Sequence, residues 1–378
     1  MRPIYLDYQA STPLLPPVRD FMSGLLDGFS GNPHSEIHLH GRESGLIVEN
    51  ARDQIADLIG ADSSNVIFTS GATESNNFAI KQAPKLIGSR RTILISAVEH
   101  KCVIESAYAL AEQGYNIIAL KVDGRGNVDY DLFKDALSED VALVSMTTAN
   151  NEIGTINDAL PFIQAVHEVG GLFHTDAAQH ISHSDLDVNN TYADFISFSS
   201  HKMYGPKGIG AIYVAPHLYE QMEPIMHGGG QQDGKRSGTL SPLLCGGFGA
   251  AANQYLKNGE EIRSRTKHLR DSFYRHLVDG LGDRIELIGP SLNERHIANL
   301  NIKFPVSSAH LLGQMMPTLS ASNGSACSSG EISASHVLKA IGLSNQSADK
   351  CIRFSFGVGL TDSDVSKAAD EIISAFQT

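Results

Sequence analysis

Between about residues 50 and 215 the chain alternates short, nearly all-apolar runs rich in β-branched residues with stretches of helical spacing, and this rhythm limits the fold more tightly than any other feature. The expected strands lie at 66–69, 92–96, 116–120, 142–147, 171–175, 195–198 and 209–214. A strand that is apolar at successive positions needs cover on both faces, and strands joined through helices run parallel. The pattern therefore predicts an α/β architecture: a large domain with a mostly parallel, mixed sheet. Beyond it, Leu256, Ile262, Leu269, Phe273 and Leu277 share one face of a helix expected over 249–281. Strand-like pieces at 285–288, 298–304 and 352–356 then alternate with helices, which predicts a smaller α+β domain. Residues 14–255 are assigned to the large domain, and 1–13 with 256–378 to the small one.

A chain of 378 residues, 42% hydrophobic and 19% charged, suits two packed domains. Its formal net charge of -13, with no long basic run, argues against direct nucleic-acid binding. The opening MRPIYLDYQASTPLLPP lacks a basic segment followed by an apolar stretch of signal-peptide length, and no apolar run reaches the length of a membrane span. A cytoplasmic protein without a membrane partner is expected. Cys102, Cys245, Cys327 and Cys351 lie far apart with no C-x-x-C, which argues for thiols in a reducing compartment and against a disulfide scaffold or structural zinc.

Three stretches carry chemistry. In SFSSHKMYGPKG an apolar run closes on Lys202, a charge that must lose hydration there unless an amine is needed. TSGATESNN, at 69–77, follows a strand and opens a helix with small residues and the hydroxyl of Thr73, the form of a phosphate cradle; a plain helix cap by Thr73 or Ser75 is the competing reading. FHTDAAQ ends a strand on Asp176, where open α/β sheets bind ligands. An amine for a Schiff base, an acid for a pyridinium nitrogen and donors for a phosphate are together the three anchors of pyridoxal 5′-phosphate. One cofactor accounts for all three.

SGATESNN, EHKCV, NNEIG, HTDAAQ, SSHKMYGPKGIG, HGGGQQDGKRSGTL and GSACSSG occur in this order. With them the chain resembles the pyridoxal-phosphate-dependent cysteine desulfurases of the class V aminotransferase group, the iron–sulfur and nitrogenase-type subgroup, from LDYQASTP at residue 6 to IRFSFG ending at 357. The resemblance implies the fold type I of pyridoxal-phosphate-dependent transferases. It implies that Lys202 forms the Schiff base, that Asp176 pairs with the ring nitrogen and Gln179 reaches the ring oxygen, and that His100 stacks on the ring and assists proton transfer. Thr73, Ser199 and His201 would hold the phosphate, and Asn151 and Arg353 the substrate carboxylate. Thr239 would reach the neighbouring subunit's phosphate across a homodimer interface. Ser200 stands where many relatives carry glycine, a small change.

Cys327 is the residue that a plain aminotransferase would not need. It lies among Gly, Ser and Ala in SASNGSACSSGEIS, poor packing partners, whereas Cys102, Cys245 and Cys351 read as small buried hydrophobes. The resemblance implies conversion of L-cysteine to L-alanine, with the sulfur held on Cys327 as a persulfide and passed to an acceptor protein. The chain ends at EIISAFQT, soon after its final helix, where the housekeeping iron–sulfur members continue into a tail that docks their scaffold. Iron–sulfur assembly, nitrogenase-type assembly and nucleic-acid thiolation through a partner protein all stay open as destinations. So do two rival activities, a class V aminotransferase and a selenocysteine lyase, and a silent scaffold is disfavoured by the intact Lys202, Asp176, His100 and Cys327. His34 and His38 in HSEIHLH read as loop residues and not as a metal pair, and HGGG lacks the G-x-S-x-G elbow of a hydrolase.

Overall fold

The computed structural model describes residues 3–26, 28, 31–315, 318–323 and 335–376. Seven strands form the central sheet: β2 (Val66–Thr69), β3 (Thr92–Ser96), β4 (Asn116–Leu120), β5 (Val141–Ser145), β6 (Leu172–Asp176), β7 (Phe195–Ser199) and β8 (Gly210–Val214), after a short β1 (Ile4–Tyr5). Their order is β2-β8-β7-β6-β5-β3-β4. β8 runs antiparallel to both its neighbours and the other pairings are parallel, so the sheet is mixed and mostly parallel. The expected strands are found within one or two residues. β5, β6 and β7 are buried throughout, as double cover requires, whereas β4, with partly exposed residues, is an edge.

β9 (Glu286–Leu287), β10 (Asn299–Lys303) and β12 (Cys351–Ser355) make an antiparallel three-stranded sheet, and β11 (Leu319–Ser320) pairs with β1. One helix, Pro242–Leu281, is 40 residues long, so it begins earlier than residue 249 and takes in Gly246, Gly247 and Gly249. The Ser241-Pro242 pair explains the start: the Ser241 side chain accepts the Leu244 N–H, and proline suits the first helical turn. The glycines that weaken the sequence signal are needed for contact, since a Cβ on Gly249 would lie 2.6 Å from the Ala51 Cα. Ala51 belongs to α2 (Leu39–Ile59), which follows α1 (Pro16–Leu26) and packs along the long helix. Among the described residues no helix is long and apolar enough to cross a membrane.

Candidate active site

The turns after β2, β3, β5, β6 and β7 open on one pocket of about 620 Å³. Thr73, His100, Asn151, Asp176, Gln179, Ser199, His201, Lys202 and Arg353 all line it. Thr239 does not; it is exposed and stands away from this chain's own pocket. Cys327 lies outside the described residues.

Each side chain is placed by its element. Lys202 ends a single turn after β7, and its Nζ donates to the carbonyls of Gln9 (2.5 Å) and Ala10 (2.9 Å). That turn is locked to the N-terminal segment: Thr12 donates its N–H and its hydroxyl to the His201 carbonyl (2.9 and 3.0 Å), and Tyr204 donates its N–H to the Thr12 Oγ1 (2.8 Å). Gln179 Nε2 donates to the Gln9 carbonyl as well (3.0 Å).

Asp176 closes β6 with both oxygens engaged. Oδ1 accepts the Ala178 N–H (2.9 Å) and Oδ2 accepts Asn76 Nδ2 (2.7 Å). Nearby, Glu99 is fully buried, and that burial, reinforced by the Asp176 charge, pushes its carboxyl well above the usual range.

His100 caps α4 (Lys101–Ala111): its Nδ1 accepts the Cys102 N–H (3.2 Å) and lies 3.0 Å from the Cys102 Sγ. A backbone N–H can only donate, so Nδ1 is an acceptor and the neutral ring carries its proton on Nε2. Burial lowers the pKa of His100, which favours that neutral form. Burial likewise brings His201 down to about 4, with Lys202 and Lys207 adding to the shift.

The phosphate-type turn opens α3 (Ala72–Leu86). Gly71 sits at its N-cap with φ 153, a conformation that favours glycine, and no side chain caps the helix there. Ser75 is not the cap: its hydroxyl donates to the Ala211 carbonyl (3.0 Å) and pairs with Thr69 Oγ1 (2.8 Å). The first-turn amides of α3 therefore lie at a pocket lined by Gly71, Ala72 and Thr73, as an anion site requires. Glu74 steadies the turn by accepting the Ser70 N–H (2.7 Å) and pairing with Arg236 (2.8 Å).

Several neighbours escaped the sequence reading. Cys102 is not a plain core thiol: it lines the pocket beside His100, accepts from Asn76 Nδ2 (3.1 Å), and burial raises its pKa to about 12. Its position two residues after His100 at a helix start was the available signal. Cys245 and Cys351 are buried as expected. Asn76, Asp7, Gln9 and Ala10 meet the site only through folding; LDYQASTP marked the last three as part of a motif without saying what they touch. His38 caps α2 through Nδ1, and the His34 N–H is donated to the Asn32 side chain (3.0 Å), so the two do not form a helical pair.

The chain matches the aminotransferase class-V family over residues 4–367. It is 41% identical over 372 residues to the mitochondrial cysteine desulfurase of Saccharomyces cerevisiae, covering 96% of this chain and 73% of the yeast protein. Cysteine desulfurase IscS of Pseudomonas aeruginosa is 39% identical over 376 residues, covering 99% and 92% of the two chains. Among solved structures, a NifS-like protein superposes with a TM-score of 0.91 at 31% identity over 100% of both chains. The chain belongs to the class V aminotransferase family and, within it, to the cysteine desulfurases.

Proposed function

We propose that this cysteine desulfurase uses pyridoxal 5′-phosphate in the pocket around Lys202, converting L-cysteine to L-alanine and moving the sulfur first to Cys327. The observation that carries the proposal is the convergence of a lysine amine, a doubly bonded aspartate, a histidine with its proton on Nε2, an uncapped helix N-terminus and an arginine on one pocket. The donor set fits the cofactor group by group. Lys202 supplies the amine, Asp176 the acid partner for a ring nitrogen, and Gln179 an amide for the ring oxygen. Thr73, Ser199, His201 and the α3 amides supply donors for a phosphate.

When bound, pyridoxal phosphate supplies an electron sink that makes the bonds at the amino acid's Cα and Cβ easier to break. The protein's own residues do the rest. Arg353 and Asn151 hold the carboxylate and so orient Cα. Lys202 Nζ takes and returns the proton at Cα. His100 donates from Nε2, the nitrogen left free by the helix cap. The Cys327 thiolate takes the sulfur atom, forming an S–S bond as the substrate C–S bond breaks. The sums balance: L-cysteine loses one sulfur atom to become L-alanine, and the thiol gains it to become a persulfide.

From Cys327 the sulfur passes to an acceptor protein, for iron–sulfur cluster assembly or a dedicated thiolation route, in the cytoplasm. A homodimer completes the site through Thr239. In support, a groove of about 760 Å³ runs beside α2 and residues 230–240, with Leu39 and Leu46 exposed on α2 and Ile37 exposed just before it. Residues 14–255 form the cofactor unit, with 1–13 and 256–378 as the smaller one.

The test is release of alanine and sulfide from L-cysteine with added thiol reductant, on protein purified with pyridoxal phosphate. Equal amounts are expected. Cys327→Ser should keep the visible absorbance of the bound cofactor and lose sulfide release; retained turnover would show that another thiol takes the sulfur.

A further inference from the structure

We propose that Asp7 is a positioning residue for the substrate carboxylate: it pins the Arg353 guanidinium so that one edge of the fork is left for the amino acid. The inference rests on the reading of Arg353 as the carboxylate grip, and deepens it.

Arg353 lies in the middle of β12, with Asn301 of β10 opposite it on one side. On the other side its N–H donates to the Ser322 carbonyl (2.7 Å), and its carbonyl accepts the Ser322 N–H (3.1 Å). The backbone is thus fixed, and only side-chain torsions remain free. Two contacts stop those. Nη2 donates to Asp7 Oδ1 at 2.7 Å, with side chains 6% and 18% exposed, and Nη1 donates to the Asn151 carbonyl at 3.3 Å. Nε is buried and has no partner among the described residues. The guanidinium carries five N–H donors, and the Nε–H with its neighbouring Nη–H forms one edge that matches a carboxylate bidentately.

Asp7 itself is held by its neighbours' backbone. Leu6 donates its N–H to the Ser320 carbonyl and accepts from Ser355 (both 2.8 Å). The Asp7 carbonyl takes the Tyr5 hydroxyl (2.9 Å) and the Ala10 N–H (3.0 Å). The turn that reaches Gln9 and Ala10 therefore hangs on the Asp7 carbonyl, and the carboxylate is left for Arg353.

Charge and geometry make opposite forecasts here. Asp7 offsets the positive charge of Arg353, so if attraction alone bound the substrate, removing the Asp7 charge would tighten binding. If the acid serves to preorganise the fork, removing it loosens binding, because a freed arginine must be ordered again by the ligand.

The experiment compares wild type, Asp7→Asn, Arg353→Lys and the double substitution as cofactor-loaded enzymes, with urea midpoints to confirm folding. Asp7→Asn should raise KM for L-cysteine, and the inhibition constant of L-alanine, by about tenfold, within the coupling range for residues of one ion-pair network. Its kcat should stay nearly constant. Binding of 2-aminoethanethiol, which lacks the carboxylate, should not move, and Asp7→Asn should add little on top of Arg353→Lys. Asp7→Glu, which keeps the charge but displaces the pinning oxygen, should show the same split and serves where the asparagine variant does not fold. If Arg353→Lys raises KM and the Asp7 variants leave it unchanged or lower it, the Asp7 proposal falls alone. If Arg353→Lys leaves KM unchanged, the carboxylate reading of Arg353 falls and takes this one with it. Equal loss of affinity for 2-aminoethanethiol would mean that Asp7 is merely structural.

Discussion

Gln232 offers a quantitative test of how the phosphate-type turn is supported. β2 is the outermost strand of the central sheet, so the backbone groups on its outer side have no strand partner. The Gln232 amide stands in for one: its Oε1 accepts the Phe68 N–H (2.7 Å) and its Nε2 donates to the Phe68 carbonyl (3.0 Å). Arg52 covers the next outward carbonyl, that of Val66, at 2.6 Å. Gln232→Ala leaves the Phe68 N–H and C=O unpaired in a buried place, each at a cost of about 1–3 kcal/mol. Some of that returns if water enters, so the expected loss is about 3 kcal/mol, a large part of a total that is usually about 5–15 kcal/mol. Gln232→Glu should cost less, because a carboxylate cannot donate to the Phe68 carbonyl but still accepts from Phe68 and gains a charge-assisted contact with Arg52, whose Nη1 donates to the native Oε1 at 3.2 Å. Urea unfolding at fixed protein concentration measures the loss. Since β2 ends at Thr69, just before Gly71, both variants should also weaken cofactor retention. A loss under about 1 kcal/mol for Gln232→Ala would refute the edge-strand argument, since two buried groups cannot be orphaned so cheaply.

Stability should fall on mild acidification. Burial lowers His174, His183 and His201 to about 4 and His296 to about 3, so below about pH 6.5 the unfolded chain takes up protons that the native fold refuses, while Glu152, raised to about 7 by burial, and Glu99 act in the opposite sense. His100, His180 and His336 are lowered by burial as well, against His167, which its hydrogen bond to Asp194 raises, so the balance is a net loss of stability between roughly pH 6.5 and 4.5; a urea midpoint equal at pH 7 and pH 5 would contradict it. Sedimentation should give a dimer, with Thr239→Ala weakening cofactor retention in it, whereas a fully active monomer would exclude the shared site. Lys202→Ala should abolish the visible absorbance of the cofactor–lysine bond; if that absorbance persists, another amine holds the cofactor.

The sheet was legible because its strands are short, apolar and punctuated, and each can be recognised in its own window. The long helix was misjudged at its start because local propensity counts glycine as a cost, whereas at Gly249 a neighbouring backbone occupies the room a side chain would take. The site divides in the same way. Lys202, Asp176 and Thr73 sit at strand ends, where topology alone suggests ligand chemistry. Asp7 and Gln9 act on residues more than a hundred positions away, on Arg353, Gln179 and Lys202, through contacts that no periodicity encodes. Cys102 looked like a core thiol because its neighbours are ordinary helix residues. Only the cap geometry of His100 brings its sulfur into the pocket.

The same cap and its surroundings decide where charge can reside. Burial first, and then the nearby Asp176 charge, raise the cost of ionising Glu99. Asp176 accepts two hydrogen bonds, from Ala178 and Asn76. Glu99 Oε1 accepts the Thr147 N–H (2.6 Å), and its Oε2 has no partner among the described residues. Glu99 is also the more deeply buried of the two. Burial therefore favours the protonated form of Glu99. Replacing Asn76 would remove one of the two donors to Asp176, so the placing of that side chain depends on a residue of α3 as well as on β6. A buried acid that keeps its proton beside a histidine whose neutral ring carries its own on Nε2 follows from burial and from the helix cap.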